Sequence, residues 1–181
     1  MRNVLRPVMD TLGEYMGFQH ATVTLYNRQT GEISIELATG LSPTQTKKGR
    51  YKVGEGITGK VVETGKPIVV PDVTKDPNFL DRTGRGKISG KAFICVPISI
   101  EKEVVGALSV DEFNSSKDQL DEDLRLLEII AMMIASAVKL RRQAEEETEI
   151  LLAENERLRS ELKDRFRPSN IPARCRLSSI R

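Results

Sequence analysis

The chain has 181 residues, 39% of them hydrophobic and 30% charged, and its net charge is +2. One compact domain plus additional helix is the expectation for that length, and so small a net charge makes no case for a nucleic-acid or anionic-membrane partner. No apolar run is long enough to span a bilayer, no signal-peptide pattern follows Met1, and Cys95 and Cys175 form no C-x-x-C pair, so a metal centre, a disulfide framework and an exported protein are all poor readings beside a soluble cytoplasmic one.

Val4, Leu5, Val8, Leu12, Tyr15 and Met16 recur at helical spacing and predict a helix over 4–16 that Gly17 ends. Residues 20–26 (HATVTLY) alternate, with Ala21, Val23 and Leu25 on one side. After the turn Asn27-Arg28-Gln29-Thr30-Gly31, the residues Ile33, Ile35 and Leu37 alternate again, which predicts a hairpin with one buried face. Residues 41–52 read as a polar loop. The stretch YKVGEGITGKVVETGKPIVVPDV (51–73) then reads as strand, glycine turn, short helix and second strand. Gly54 and Gly56 bracket Glu55 and permit a sharp turn there. Ile57, Val61 and Val62 follow at helical spacing, with Thr58 and Lys60 off that face, and Gly65 and Pro67 stop the helix. Ile68, Val69 and Val70 predict a buried strand.

The connection TKDPNFLDRTGRGKISGK (74–91) carries Pro77, Gly84, Gly86 and Gly90; loops this long inside a compact domain are usually functional or mobile. AFICVPISI (92–100) and VVGALSVDEF (104–113) predict a second hairpin across Glu101-Lys102-Glu103. Asp121 is placed to cap the next helix, which begins near Leu124 and shows Leu124, Leu127, Ile130, Ala131, Ile134 and Val138 on one face. No Gly or Pro occurs between Phe113 and Pro168, so the helix is expected to run on. From Ile134 a heptad places Ile134, Arg141, Thr148, Asn155 and Leu162 at a, and Ala137, Ala144, Leu151, Leu158 and Arg165 at d. This predicts a parallel two-stranded coiled coil whose interface is Ile134, Ala137, Arg141, Leu151, Asn155, Leu158 and Leu162, with a weak point at Arg141. A solvated single helix laced with i,i+4 ion pairs is the competing reading. The expected organisation is a sensor domain over 1–140, a coiled-coil linker helix over 141–167, and a disordered or foreign tail over 168–181.

The segments YKVGEGITGKVVETGKPIVVPDV and KAFICVPISIEKEVVGALSVDEF, in this order of elements, resemble a GAF domain. GEGITGKVVETGKPIVVP, NFLDRTG, FICVPI and DLRLLEIIA together resemble more closely the N-terminal domain of NifA-type σ54-dependent activators of nitrogen-fixation genes, over roughly residues 1–170. The resemblance implies an α/β (α+β) fold: a GAF-like antiparallel sheet flanked by helices, with a long C-terminal signalling helix. It also implies a homodimer that senses a small effector, or an inhibitory regulator protein, and controls a downstream AAA+ ATPase. That ATPase is not in this chain: each GK, at Gly59, Gly65, Gly86 and Gly90, is followed by Val61, Pro67, Ile88 or Ala92 where a phosphate-binding loop needs Ser or Thr. With no helix-turn-helix pattern either, neither ATP hydrolysis nor DNA binding is expected, and no enzyme activity or catalytic residue is assigned.

A GAF-like pocket would lie between the sheet and the central helix, under the long loop. Arg82, Arg85, Lys87 and Lys91 have no acid between them, and neither do Lys47, Lys48, Arg50 and Lys52. Solvated loop cations are the commoner case. The sharper expectation is a small anion, and relatives that respond to 2-oxoglutarate make that dicarboxylate the first ligand to consider. Its candidate residues are Arg82, Arg85, Lys87, Thr58, Phe79 and Cys95, with Arg82 as the anchor beside Phe79-Leu80. The runner-up is a cyclic nucleotide, since Asn114, Lys117, Leu120, Asp121 and Glu122 resemble the signature of GAF domains that bind one, with Leu for Phe; a strand-exit turn and helix cap explain the same residues more simply. Cys95 in FICVPI reads as a packed small hydrophobe rather than a redox sensor. His20 has no partner histidine, and Asp111-Glu112 point to opposite faces of a strand, so metal binding and acid–base catalysis are not expected.

Overall fold

The computed structural model describes Arg6, Pro7, Met9, Phe18, residues 20–113 and residues 115–165. It divides into two compact units, Met1–Leu140 and Arg141–Arg181. The first is a mixed α/β unit built on a curled antiparallel sheet. Its strands are β1 (His20–Asn27), β2 (Glu32–Ala38), β3 (Arg50–Lys52), β4 (Ile68–Val70), β5 (Lys91–Ile100) and β6 (Glu103–Phe113). The order across the sheet is β3-β2-β1-β6-β5-β4, so the two hairpins meet where β1 pairs with β6 at the centre. The helices are α1 (Pro43–Lys48), α2 (Gly56–Thr64) and the long α3 (Lys117–Arg165). The helical expectation over 4–16 lies, apart from Arg6, Pro7 and Met9, outside the described residues, as does everything expected of the tail, Cys175 included.

Alternation along the central strands produces two unlike faces. Ala21, Val23, Ile94, Val96, Leu108 and Val110 point to one side and bury against Leu120, Leu127, Ala131, Ile134 and Val138 of α3. Phe93, Cys95 and Ala107 point to the other and pack on Ile57, Val61 and Val62 of α2, with Val73 and Phe79 of the long loop closing the cluster. Helix α2 is set by its glycines. Gly54 and Gly56 take left-handed φ of 79° and 64°, which deliver the chain from β3 into the helix. Gly65 ends it in the same conformation, its N–H bonded to the Val61 carbonyl at 2.9 Å. Gly59 has a different reason: a Cβ there would stand 2.3 Å from the Lys52 carbonyl oxygen, so only glycine lets α2 lie this close to β3.

Two expectations about local structure need correction. Residues 41–52 are not simply loop. Ser42 and Gln45 form a reciprocal capping box, with Pro43 in the first turn, and these start α1 inside the polar stretch. Helix α3 begins at Lys117, seven residues before Leu124, because Ser116 does the capping: its Oγ accepts from Gln119 N–H at 3.3 Å and its carbonyl accepts from Leu120 N–H at 3.1 Å. Asp121 therefore sits inside the helix and caps nothing. Among the described residues no helix is long and apolar enough to cross a membrane.

Candidate functional site

The site lies on the α2 side of the sheet, beneath the loop of residues 71–90. Three aspartates shape that loop by accepting from its own backbone. Asp72 Oδ1 takes Thr74 N–H at 3.0 Å, and Asp76 Oδ1 takes Asn78 N–H at 2.7 Å. Asp81 takes Arg85 N–H at 2.8 Å and Gly86 N–H at 3.0 Å, and holds a φ of 35° to do so. Lys60 of α2 donates to Asn78 Oδ1 at 2.8 Å. Phe79 turns inward and meets Phe93 of β5 edge to face, ring centroids 5.3 Å apart.

Two ion-pair groups tie the loop down. Arg82 pairs with Glu55 at the start of α2 while its guanidinium lies 5.8 Å from the centre of the Tyr51 ring. This group is half exposed. The second is buried: Asp111 of β6 is held by Arg85 at 2.9 Å and by Lys91 at 3.0 Å, with Lys91 and Asp111 side chains no more than 1% exposed. Lys91 also lies 5.7 Å from the Phe79 ring centre, and Arg85 Nε donates to Thr83 Oγ1 at 2.9 Å. Desolvating such charges nearly cancels their attraction, so the cluster adds little net stability, yet removing one member would strand the others. His20 faces Asp111 across the β1–β6 register. Burial holds its imidazole below its ordinary pKa; Asp111 pulls the other way, and Arg85 and Lys91 reinforce the depression.

Between these groups Tyr51, Thr58, Phe79, Arg82, Arg85 and Phe93 line a cavity of about 20 Å³. That is room for about one water, where pockets for organic ligands measure some 300–1,000 Å³. A dicarboxylate enters only if the loop moves.

The family profile described as GAF domain matches residues 1–138. The chain belongs to the GAF family. It is 41% identical over 175 residues to the nitrogen fixation protein VnfA of Azotobacter vinelandii, a match covering 94% of this chain and 34% of that protein. It is 34% identical to the Nif-specific regulatory protein of Herbaspirillum seropedicae, again over 94% of this chain and 32% of the relative. The chain thus spans about a third of the length of these two relatives. Among solved structures, the GAF domain of A. aeolicus nlh2 in an inactive state is 29% identical and superposes with a TM-score of 0.70, covering 78% of this chain and 86% of that one.

Of the ligand residues expected for this GAF domain, Arg82, Arg85, Thr58 and Phe79 come together at the cavity. Lys87 is exposed on the loop and does not line it. Cys95 does not line it either. It is fully buried beneath α2, and burial pushes its thiol up to about 12, with a bond from Thr58 opposing the rise. The expectation of uncompensated basic loops fails at four of their eight cations. Arg82 is answered by Glu55, Arg85 and Lys91 by Asp111, and Arg50 by Glu32 at 2.9 Å. These acids come from other parts of the chain, so local charge counting could not find them. The cyclic-nucleotide signature fares worse: Lys117, Leu120, Asp121 and Glu122 are all in α3, Leu120 is buried in the apolar core, none lines the cavity, and Asn114 lies outside the described residues.

Asp111 is the residue that sequence reasoning missed. Alternation does separate it from Glu112, but it also turns Asp111 to the loop side with Ser109 and Ala107. A carboxylate on that small, buried face opposite a basic loop was the available signal. The expected helix interface also needs correction at its start. Ile134 is fully buried in the unit's own core and Ala137 is half-buried against it, because both face the sheet. Arg141 is exposed and pairs with Glu145 on its own helix; Leu151, Asn155, Leu158 and Leu162 are exposed.

Proposed function

We propose that this GAF domain is the cytoplasmic, non-enzymatic signal-receiving part of a σ54-dependent activator of nitrogen-fixation genes, and that it governs an AAA+ ATPase in the remainder of the full-length protein. One observation carries the reading: Asp111 binds Arg85 of the loop and Lys91 where the loop enters β5, and lies only six residues before the first residue of α3. Whatever moves the loop must break or remake a buried charge contact at the strand end that feeds the helix. A small dicarboxylate, with 2-oxoglutarate first to test, has the chemistry to do so. One carboxylate competes with Glu55 for Arg82, the other with Asp111 for Arg85, and the cavity opens as the loop lifts.

The small cavity supports a second reading, in which the domain is a dimerisation and docking module that takes an inhibitory regulator protein on the loop rather than a small molecule. Calorimetric titration separates the two. Ligand sensing predicts heat on adding 2-oxoglutarate, none with a cyclic nucleotide, and binding about tenfold weaker in Arg82→Ala, the loss expected for one charge-assisted hydrogen bond. Absence of heat and of any thermal stabilisation with 2-oxoglutarate at millimolar concentration removes the ligand reading and leaves the docking one.

A further inference from the structure

The face of α3 turned away from the sheet carries Leu126, Ile129, Met133 and Leu140, all exposed; Met133 is 59% and Leu140 68% exposed, while neighbouring Ile134 is 1%. With Ser136 they follow a 3-4-3-4 spacing, which is the a/d pattern of a coiled-coil seam. The fold therefore excludes the heptad frame that runs through Ile134 and Ala137 and presents one displaced by a residue. Beyond Leu140 the spacing changes. Ala144, Thr148 and Leu151 follow in steps of four, four and three, and Leu151, Asn155, Leu158 and Leu162 then return to the heptad.

We propose that this stripe is a single seam for a second copy of the chain, parallel and in register, with one eleven-residue step from Leu140 to Leu151 joining two heptad frames. The proposal rests on the homodimer expected of this domain and specifies how it pairs. Four features select a second copy as the occupant. The seam is self-complementary, as a two-fold parallel pairing requires. Asn155 at a is the usual device for a parallel pair. Glu154 falls at g and Arg159 at e, so each Glu154 meets the other copy's Arg159 in an in-register parallel coil, which is charge complementarity. The hydroxyls on the seam are satisfied within their own helix: Ser136 Oγ donates to the Met132 carbonyl at 3.0 Å and Thr148 Oγ1 to the Ala144 carbonyl at 2.7 Å, so covering them strands no donor. The eleven-residue step unwinds the supercoil locally, and it leaves Arg141 off the seam, where its pairing with Glu145 is undisturbed.

Single-cysteine cross-linking of the whole chain tests the frame. The background carries Cys175→Ser and keeps Cys95, whose thiol is buried. Met133→Cys, Leu140→Cys, Leu151→Cys and Leu158→Cys are compared with Ala137→Cys and Arg141→Cys under mild oxidation, with sedimentation equilibrium on each reduced protein. The expected result is a dimer mass throughout, with disulfide yield at least fivefold higher at the first four positions than at the last two. A dimer that cross-links best at Ala137→Cys and Arg141→Cys restores the unbroken heptad and overturns the eleven-residue step alone. A monomer mass with no cross-link at any position overturns the dimer reading itself. Met133→Glu with Leu140→Glu, both at exposed sites, should dissociate the dimer at micromolar concentration without lowering the helical circular dichroism of α3; an intact dimer would contradict the seam.

Discussion

The two faces of the sheet answer different demands. The α3 face is apolar throughout, its packed residues running from Ala21 and Val23 through Ile94 and Leu108 to Leu127, Ile134 and Val138. The loop face has a smaller apolar cluster and, beside it, buried Asp111, Lys91, Thr22, Thr24, Thr58 and Ser109. Hydrophobic burial is non-directional and stabilises whatever the signal. Buried charges stabilise little but depend sharply on geometry, so they suit a contact meant to change. One face holds the domain together while the other holds the loop in a particular place.

Substitutions can break this comparison. Asp111→Asn should do most, costing about 3–5 kcal/mol by leaving Arg85 and Lys91 buried without their carboxylate; denaturant unfolding checks it, and a loss under 1 kcal/mol would mean that the cluster relaxes into solvent. On the opposite face Ile134→Ala should cost about 2–5 kcal/mol as a cavity in a packed core, whereas Met133→Ala next to it, being exposed, should stay within about 0.5 kcal/mol per monomer in a dilution where the chain is monomeric. Equal costs at 133 and 134 would refute the placement of α3.

Alkaline pH sharpens the contrast more gently. The Cys95 thiol is pushed up to about 12 from an ordinary value of 9.0. The unfolded chain therefore releases this proton first. The stabilisation is whole below pH 9 and is lost as pH rises towards 12, at about 1.4 kcal/mol per pH unit inside that window. Urea midpoints from pH 8 to 10.5 should fall less steeply in Cys95→Val than in the parent; parallel curves would show that Cys95 does not carry the effect. Arg82→Ala without ligand should also change stability little, by about 0–1 kcal/mol, because its pair with Glu55 is partly solvated. Its effect belongs in ligand binding, and a larger stability loss would make Arg82 a structural residue instead.

Much of this architecture was legible from spacing and turn chemistry. Gly54, Gly56 and Gly65 marked both ends of α2, and alternation marked both hairpins, since these signals act over a few residues. The capping box at Ser42 and Gln45 was also local, and hidden only by the polarity of its surroundings. The pairings were not legible. Glu55 is far from Arg82 in the chain and Asp111 far from Arg85; the β5–β6 pairing sets Asp111 opposite Phe93, and the fold of the loop carries Arg82 and Arg85 to the two acids. The helix frame failed for a related reason: periodicity shows that α3 has two apolar stripes, but which one is spent on the sheet depends on the fold.

The central claim is that loop and helix are coupled through Asp111. Amide hydrogen exchange on Arg85→Ala, compared with the parent chain, tests it most directly, with β2 as an internal monitor of global stability. The account predicts faster exchange both in residues 81–90 and in residues 117–127 of α3, with β2 unchanged. Faster exchange confined to the loop, with α3 as protected as in the parent, would contradict it.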